Sequence, residues 1–284
     1  GLENMSVPVA LHSKLMKHFN EFVLVGGMPE AVQFYATTKD LIALGEVFDN
    51  LLTAYSDDVE KYAENKTLQR VIRHVINNGW QYAGERIKFE GFANSPYKSR
   101  EMGEAMRILE KTMLLELSYP TSSTILPILQ DIKKSPKLFW LDTGLVNYFA
   151  GFQKELFGNE DISSFWKGKI AEHIIGQELL TLTDKVSAKR IYWIRDSRNS
   201  QAEVDFLYQF KGMLVAVEVK SGSNAKLKSL HKFMETANCN FAIRFWNQPF
   251  STDIIQLSET KQYTLYNLPF YYACVLDQFL EKNV

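Results

Sequence analysis

Two charged runs flank a Lys211-Gly212 pair, and together they constrain this chain more than any other feature. The runs are Glu203-Val204-Asp205-Phe206 and Glu218-Val219-Lys220, and the pair between them is of the kind that closes a short hairpin. A hairpin about that turn pairs Phe206 with Val217 and, extended by one step, sets Asp205 opposite Glu218 on one sheet face. Two carboxylates about 5 Å apart, at an effective dielectric near 20, repel by about 3 kcal/mol. Something must neutralise them. The period of two puts Lys220 on the face of Glu218 and, in the same register, opposite Glu203. One explanation is a solvated surface ladder of Glu-Lys and Asp-Glu pairs. The other is a divalent cation, magnesium or manganese, held by the oxygens of Asp205 and Glu218, with Lys220 orienting a water or stabilising developing charge.

The rest of the composition bounds these alternatives. With 284 residues, 46% of them hydrophobic, the chain has room for two compact cores. Lys and Arg number 32 against 33 Asp and Glu, so any nucleic-acid surface must be local. Cys239 and Cys274 stand far apart in no metal-like spacing, which fits a reducing cytoplasm and gives no reason to expect zinc. No run reaches the 18 or so apolar residues of a membrane span, and Leu268 to Leu280 reads as a C-terminal packing helix. Beginning at Gly1 without a leader, the chain is expected to be part of a longer protein.

Periodicity divides the chain into an N-terminal helical third and a C-terminal α/β region. Leu11, Leu15, Phe19, Phe22 and Val23 fall at helical spacing before Gly26-Gly27, and Pro29 opens the next helix. Asp40 is placed to cap a helix carrying Leu44, Val47, Phe48 and Leu51; a further helix carries Leu68, Val71, Ile72, Val75 and Ile76. A helix over Ser99 to Met113 and two strands, Leu114 to Tyr119 and Lys137 to Leu141, suggest a winged helix. Its helices carry Lys66, Arg70 and Arg73, and Lys98, Arg100, Arg107 and Lys111. Glu101, Glu104 and Glu110 interleave with the second set, so a solvated face explains them as well as phosphate contact does. Residues 152–163 read as a linker, giving a helical segment (1–60), a winged-helix-like domain (61–151) and an α/β domain (163–284). In the last, a helix over Phe165 to Leu182 places Glu172 on one stripe with Gly168, Ile175, Leu179 and Leu182. A carboxylate on a packing stripe needs a partner: Lys169 or Arg190 at a rim, or a shared acidic site with Asp205 and Glu218.

The order helix Glu, strand Asp, strand Glu-X-Lys resembles the PD-(D/E)XK nuclease superfamily. The ordered motifs Gly26-Gly27-Met28-Pro29-Glu30-Ala31-Val32, Lys137 to Leu145, Gly168 to Glu172, Glu203 to Phe206 and Glu218 to Gly222 extend the resemblance to nearly the whole chain. Together they resemble the C-terminal half of prokaryotic AAA-type ATPases with a C-terminal domain of unknown function of nuclease-like fold. That resemblance implies an α/β restriction-endonuclease-like domain after a helical and winged-helix segment. It implies Glu172, Asp205, Glu218 and Lys220 as catalytic residues, with Asp205 and Glu218 as ligands of magnesium or manganese. Val204 stands where the pattern has Pro. No Gly-X-X-X-X-Gly-Lys-Ser/Thr is present, so ATP would bind only through an ATPase core N-terminal to this chain. DNA, that ATPase core and further copies in a homo-oligomer are the expected partners, with Ser221, Lys226, Lys228 and Lys232 placed to meet backbone phosphates. Two other readings remain open at this point: a nuclease-like recognition or assembly module without catalysis, and a helical protein-interaction scaffold.

Overall fold

The computed structural model describes residues 7–151, 168–185, 187–195, 202–220 and 227–284. It is an α/β protein with an N-terminal helical region. The described residues fall in two compact units, neither of them continuous in sequence. One draws on Asn20–Ser118 and Ser135–Phe165, the other on Gly1–Phe19, Tyr119–Lys134 and Trp166–Val284.

Helix α1 (Val9–Val25) buries Phe19, Val23, Leu24 and Val25, and α2 (Pro29–Thr38) starts on a proline whose missing N–H costs nothing in a first turn. Asp40 Oδ1 accepts from the Ile42 and Ala43 amides, leading the chain into α3 (Leu44–Glu60). Asn65 caps α4 (Lys66–Asn78) by accepting from the Leu68 amide at 2.9 Å, and Leu68, Val71, Ile72, Val75 and Ile76 form one buried stripe. Helix α5 (Ser99–Lys111) turns Met102, Ala105, Met106 and Leu109 inward. An antiparallel ribbon follows, from β1 (Leu115–Ser118) to β3 (Lys137–Trp140), with β2 (Pro120–Thr121) between them in sequence but in the other unit. Helices and then a ribbon is the order the hydrophobic pattern suggests.

Two of the ordered motifs meet in this unit. Asp142 is 2% exposed; it caps α6 (Thr143–Phe149) by accepting from the Leu145 amide at 3.1 Å, and its other oxygen accepts from the Gly27 amide at 2.7 Å. Gly26 has φ +74°, and a Cβ there would lie 2.1 Å from Asp142 Oδ1; a Cβ on Gly144 would lie 2.5 Å from the Val25 carbonyl oxygen. The Gly-Gly and Asp-Thr-Gly segments are thus a structural clasp, in which backbone must approach backbone and a buried carboxylate joins two helix ends.

The other unit is built on sheets. Helix α7 (Lys169–Thr181) precedes β4 (Tyr192–Ile194), which pairs parallel with β2 and antiparallel with β5 (Glu203–Val204). A second sheet has the order β6 (Phe206–Phe210), β7 (Met213–Val219), β8 (Phe241–Trp246), β10 (Gln262–Pro269), β9 (Ser251–Gln256). The β6–β7 hairpin turns at Lys211 (φ 44°) and Gly212 (φ 77°), the two positive φ values that a type I′ turn requires. Helix α8 (Lys228–Thr236) connects the parallel strands β7 and β8. It buries Leu230, Phe233 and Met234 among Leu214, Ala216, Ala242 and Leu265. The small alanines let the helix lie close to the sheet.

The sequence reading misses β9 and β10, whose polar and aromatic residues break simple alternation. It also takes Leu268 to Leu280 as helix. The chain is strand to Pro269, then a 3-10 segment (Phe270–Val275), then α9 (Leu276–Asn283), because Leu268 still pairs with Phe245 of β8. Among the described residues no helix is long and apolar enough to cross a membrane.

Candidate functional site

The hairpin register holds from Phe206↔Val217 to Phe210↔Met213 and stops there. Asp205 is not a ladder residue. It sits at the bend where β5 leaves the three-stranded sheet and β6 joins the five-stranded one. Glu203 accordingly pairs with Ile194 of β4, and the predicted Glu203-Lys220 opposition is replaced by a strand that changes partners at Asp205. A continuous surface ladder cannot form across such a bend. Asp205 instead spans the gap with its side chain, Oδ2 accepting the Val219 amide at 2.8 Å.

Asp205 and Glu218 come together in a buried setting, at 9% and 3% exposure. Lys220 Nζ lies 2.7 Å from Glu218 Oε1 and 3.8 Å from Asp205 Oδ2, so one ammonium serves both carboxylates. Glu218 Oε2 is buried without a hydrogen-bond partner. Burial, then the charge of Asp205, push the Glu218 carboxyl up to about 8 against the pull of Lys220. Burial disfavours the Lys220 ammonium, but Asp205, Glu218 and Glu172 outweigh it and raise its pKa. Glu172 stands half-buried in the first turn of α7, where the helix N-terminus favours a carboxylate. Its charge reaches both Glu218 and Lys220.

All four residues singled out in the sequence therefore share one electrostatic site. Among the described residues, no three His, Cys, Asp or Glu side chains converge as a ready-made metal cage. The donor set is the pair Asp205 and Glu218, with Glu172 acting at longer range. Two hard carboxylates with an unpartnered buried oxygen suit a cation that keeps several waters of its own, as magnesium does. A single ammonium now neutralises that pair, so loading a divalent ion means displacing Lys220 and removing the Glu218 proton.

Lys66, Arg70, Arg73, Lys98, Arg100, Arg107 and Lys111 are all exposed on α4 and around α5. Two of the interleaved acids serve the backbone: Glu101 Oε2 accepts from the Lys98 amide and Glu110 Oε1 from the Leu117 amide. Lys228 is exposed and Lys232 half-buried on α8, whereas Ser221 and Lys226 lie outside the described residues. Sequence reasoning overlooks Arg244, the cross-strand neighbour of Glu218 on β8. Its signal is a lone charge inside the apolar run Phe241-Ala242-Ile243-Arg244-Phe245-Trp246.

Two family models match the chain. One, described as a domain of unknown function (DUF8612), covers residues 16–156 and includes the Gly26-Gly27 and Asp142 clasp. No curated protein and no solved structure matches. The second match, a domain of unknown function (DUF4143) over residues 167–266, contains Glu172, Asp205, Glu218 and Lys220.

Proposed function

We propose that this chain is the nuclease-like C-terminal part of an AAA-type ATPase, which binds DNA and hydrolyses its phosphodiesters with magnesium or manganese. The observation that carries the reading is Glu218: almost fully buried, one oxygen on Lys220, the other unpartnered, with a second carboxylate beside it. Burying two carboxylates is costly unless a cation repays it. When bound, a divalent cation supplies a Lewis acid and a water of lowered pKa.

The chain's own residues would do the rest. Asp205 and Glu218 hold the cation, and the Val219 amide fixes the orientation of Asp205. Lys220, freed from Glu218, turns its ammonium to the phosphate oxygen or the attacking water. Glu172 adds negative charge that favours the loaded site. Lys228 and Lys232 would contact backbone phosphates. ATP would be handled by a core outside this chain, and the free thiols Cys239 and Cys274 agree with a cytoplasmic location.

The test is manganese-dependent nicking of supercoiled plasmid. Asp205→Ala combined with Lys220→Ala should reduce it about a hundredfold or more; nicking unchanged in that double variant would sink the catalytic assignment. One observation favours a second reading, a recognition or assembly module: Lys220 already neutralises the pair without a metal. Calorimetric titration with manganese separates the two. Heat that disappears in Asp205→Ala supports a built site, and absence of heat in the wild type supports the module.

A further inference from the structure

The sheet face that carries Glu218 continues as a polar row. Glu218 on β7 is in register with Arg244 on β8, Arg244 with Asn267 on β10, and Asn267 with Ser251 on β9. Residues in register share a face, and alternation adds Trp246, Tyr263 and Asp253 to it. The parallel strands β7, β8 and β10 approach their C-terminal ends at this row. Such ends are where open α/β sheets take their ligands.

Two buried acceptors of this row, Glu218 Oε2 and Asn267 Oδ1, have no hydrogen-bond partner, and neither of them reaches Arg244. Arg244 is 7% exposed, with its guanidinium carbon 4.2 Å from the centre of the Trp246 ring. Arg244 Nε, Trp246 Nε1 and Tyr263 Oη are buried, and none has a hydrogen-bond partner. Asp253 acts on Arg244 only through its field, because its Oδ2 accepts from Asn267 Nδ2 at 2.7 Å and makes no ion pair with the guanidinium. Burial holds the Tyr263 phenol protonated, so it stays a donor. Buried polar groups are nearly always satisfied, and a guanidinium 7% exposed that no acceptor of the row reaches points to an anion that completes it.

We propose that Arg244, stacked on Trp246 and flanked by Tyr263, is an anion subsite that takes a phosphate of the nucleic-acid backbone beside the Asp205, Glu218 and Lys220 site. The assignment of a backbone phosphate rests on the phosphodiester reading above; the anion subsite itself does not. Neighbouring strands are about 4.8 Å apart, so a group at Arg244 is one strand removed from a cation at Glu218. A cation held by Asp205 and Glu218 would add positive charge near such a phosphate, so its binding should strengthen when the cation is present. A planar guanidinium fork suits this task better than an ammonium.

The test uses the whole chain, with octathymidylate followed by fluorescence anisotropy and inorganic phosphate followed by calorimetry. Arg244→Met should weaken octathymidylate binding about tenfold and lower the slope of log affinity against log salt by about 0.7, one phosphate contact on a single strand. Manganese binding should be unchanged. Arg244→Lys, which keeps the charge, should still lose about fivefold, since only the fork is altered. Unchanged affinity and slope in either folded variant overturn the proposal. If the wild type binds no manganese, the phosphodiester reading fails by itself; inorganic phosphate binding that disappears in Arg244→Met then still supports the subsite, and its persistence overturns it.

Discussion

Replacing Glu218 by Gln tests the electrostatics at the centre of the site. The carboxyl has an ordinary value of 4.5 and is pushed to about 8 in the folded protein, chiefly by burial and then by Asp205. A carboxyl raised on folding binds its proton more tightly in the native state. Its contribution is complete below pH 4.5 and is lost as the pH rises through about 8. At about 1.4 kcal/mol per pH unit, linkage sets a ceiling on the order of 5 kcal/mol across that window. The pull of Lys220 is already part of that value; relaxation and water penetration reduce the cost of the buried charge further, and about half of the ceiling is the expected effect. The raised pKa of Lys220 changes stability only above its ordinary 10.5, outside the window. Gln mimics the protonated carboxyl and does not titrate. Urea unfolding of metal-free wild type and Glu218→Gln at pH 5 and pH 8.5 should therefore show the wild type falling behind by about 2 to 3 kcal/mol at the higher pH. A stability difference that stays constant between the two pH values would refute the buried, charge-crowded placement of Glu218.

The remaining predictions use other parts of the structure. Manganese affinity of the wild type should fall about tenfold per pH unit below pH 8, because the ion displaces the Glu218 proton; Lys220→Met removes the group that lowers the Glu218 pKa and should shift that profile to higher pH in calorimetry. Asp142→Ala strips the acceptors from the Gly27 and Leu145 amides and should cost about 2 to 4 kcal/mol in urea unfolding, against under about 0.5 if the clasp were incidental. Gly144→Ala sets a methyl 2.5 Å from the Val25 carbonyl oxygen and should cost about 2 kcal/mol or more, read as a lower midpoint with unchanged slope.

Local chemistry was legible wherever the local pattern was strong. The helix around Leu68 to Ile76 could be read because five apolar residues recur at helical spacing. The Lys211-Gly212 turn could be read because a glycine follows a strand-like run, and from it came the register through Phe206 and Val217. That register failed one residue later. Nothing near Asp205 in the sequence says that its strand switches from β7 to β4, since the choice depends on where β4 lies in space. Strand β10 was missed for the same reason: it owes its place to β8 and β9 on either side.

The sequence by itself determined which residues to single out, because Asp205, Glu218 and Lys220 stand out by charge and spacing and the order of motifs adds Glu172 to them by resemblance. Their protonation, their sharing of one ammonium and the row through Arg244 and Asn267 were decided only by tertiary structure. Burial and cross-strand neighbourhood are properties of assembled sheets. A carboxylate 3% exposed beside another behaves unlike the same carboxylate on a solvated strand, and only the packing of β6, β7 and β8 makes that difference.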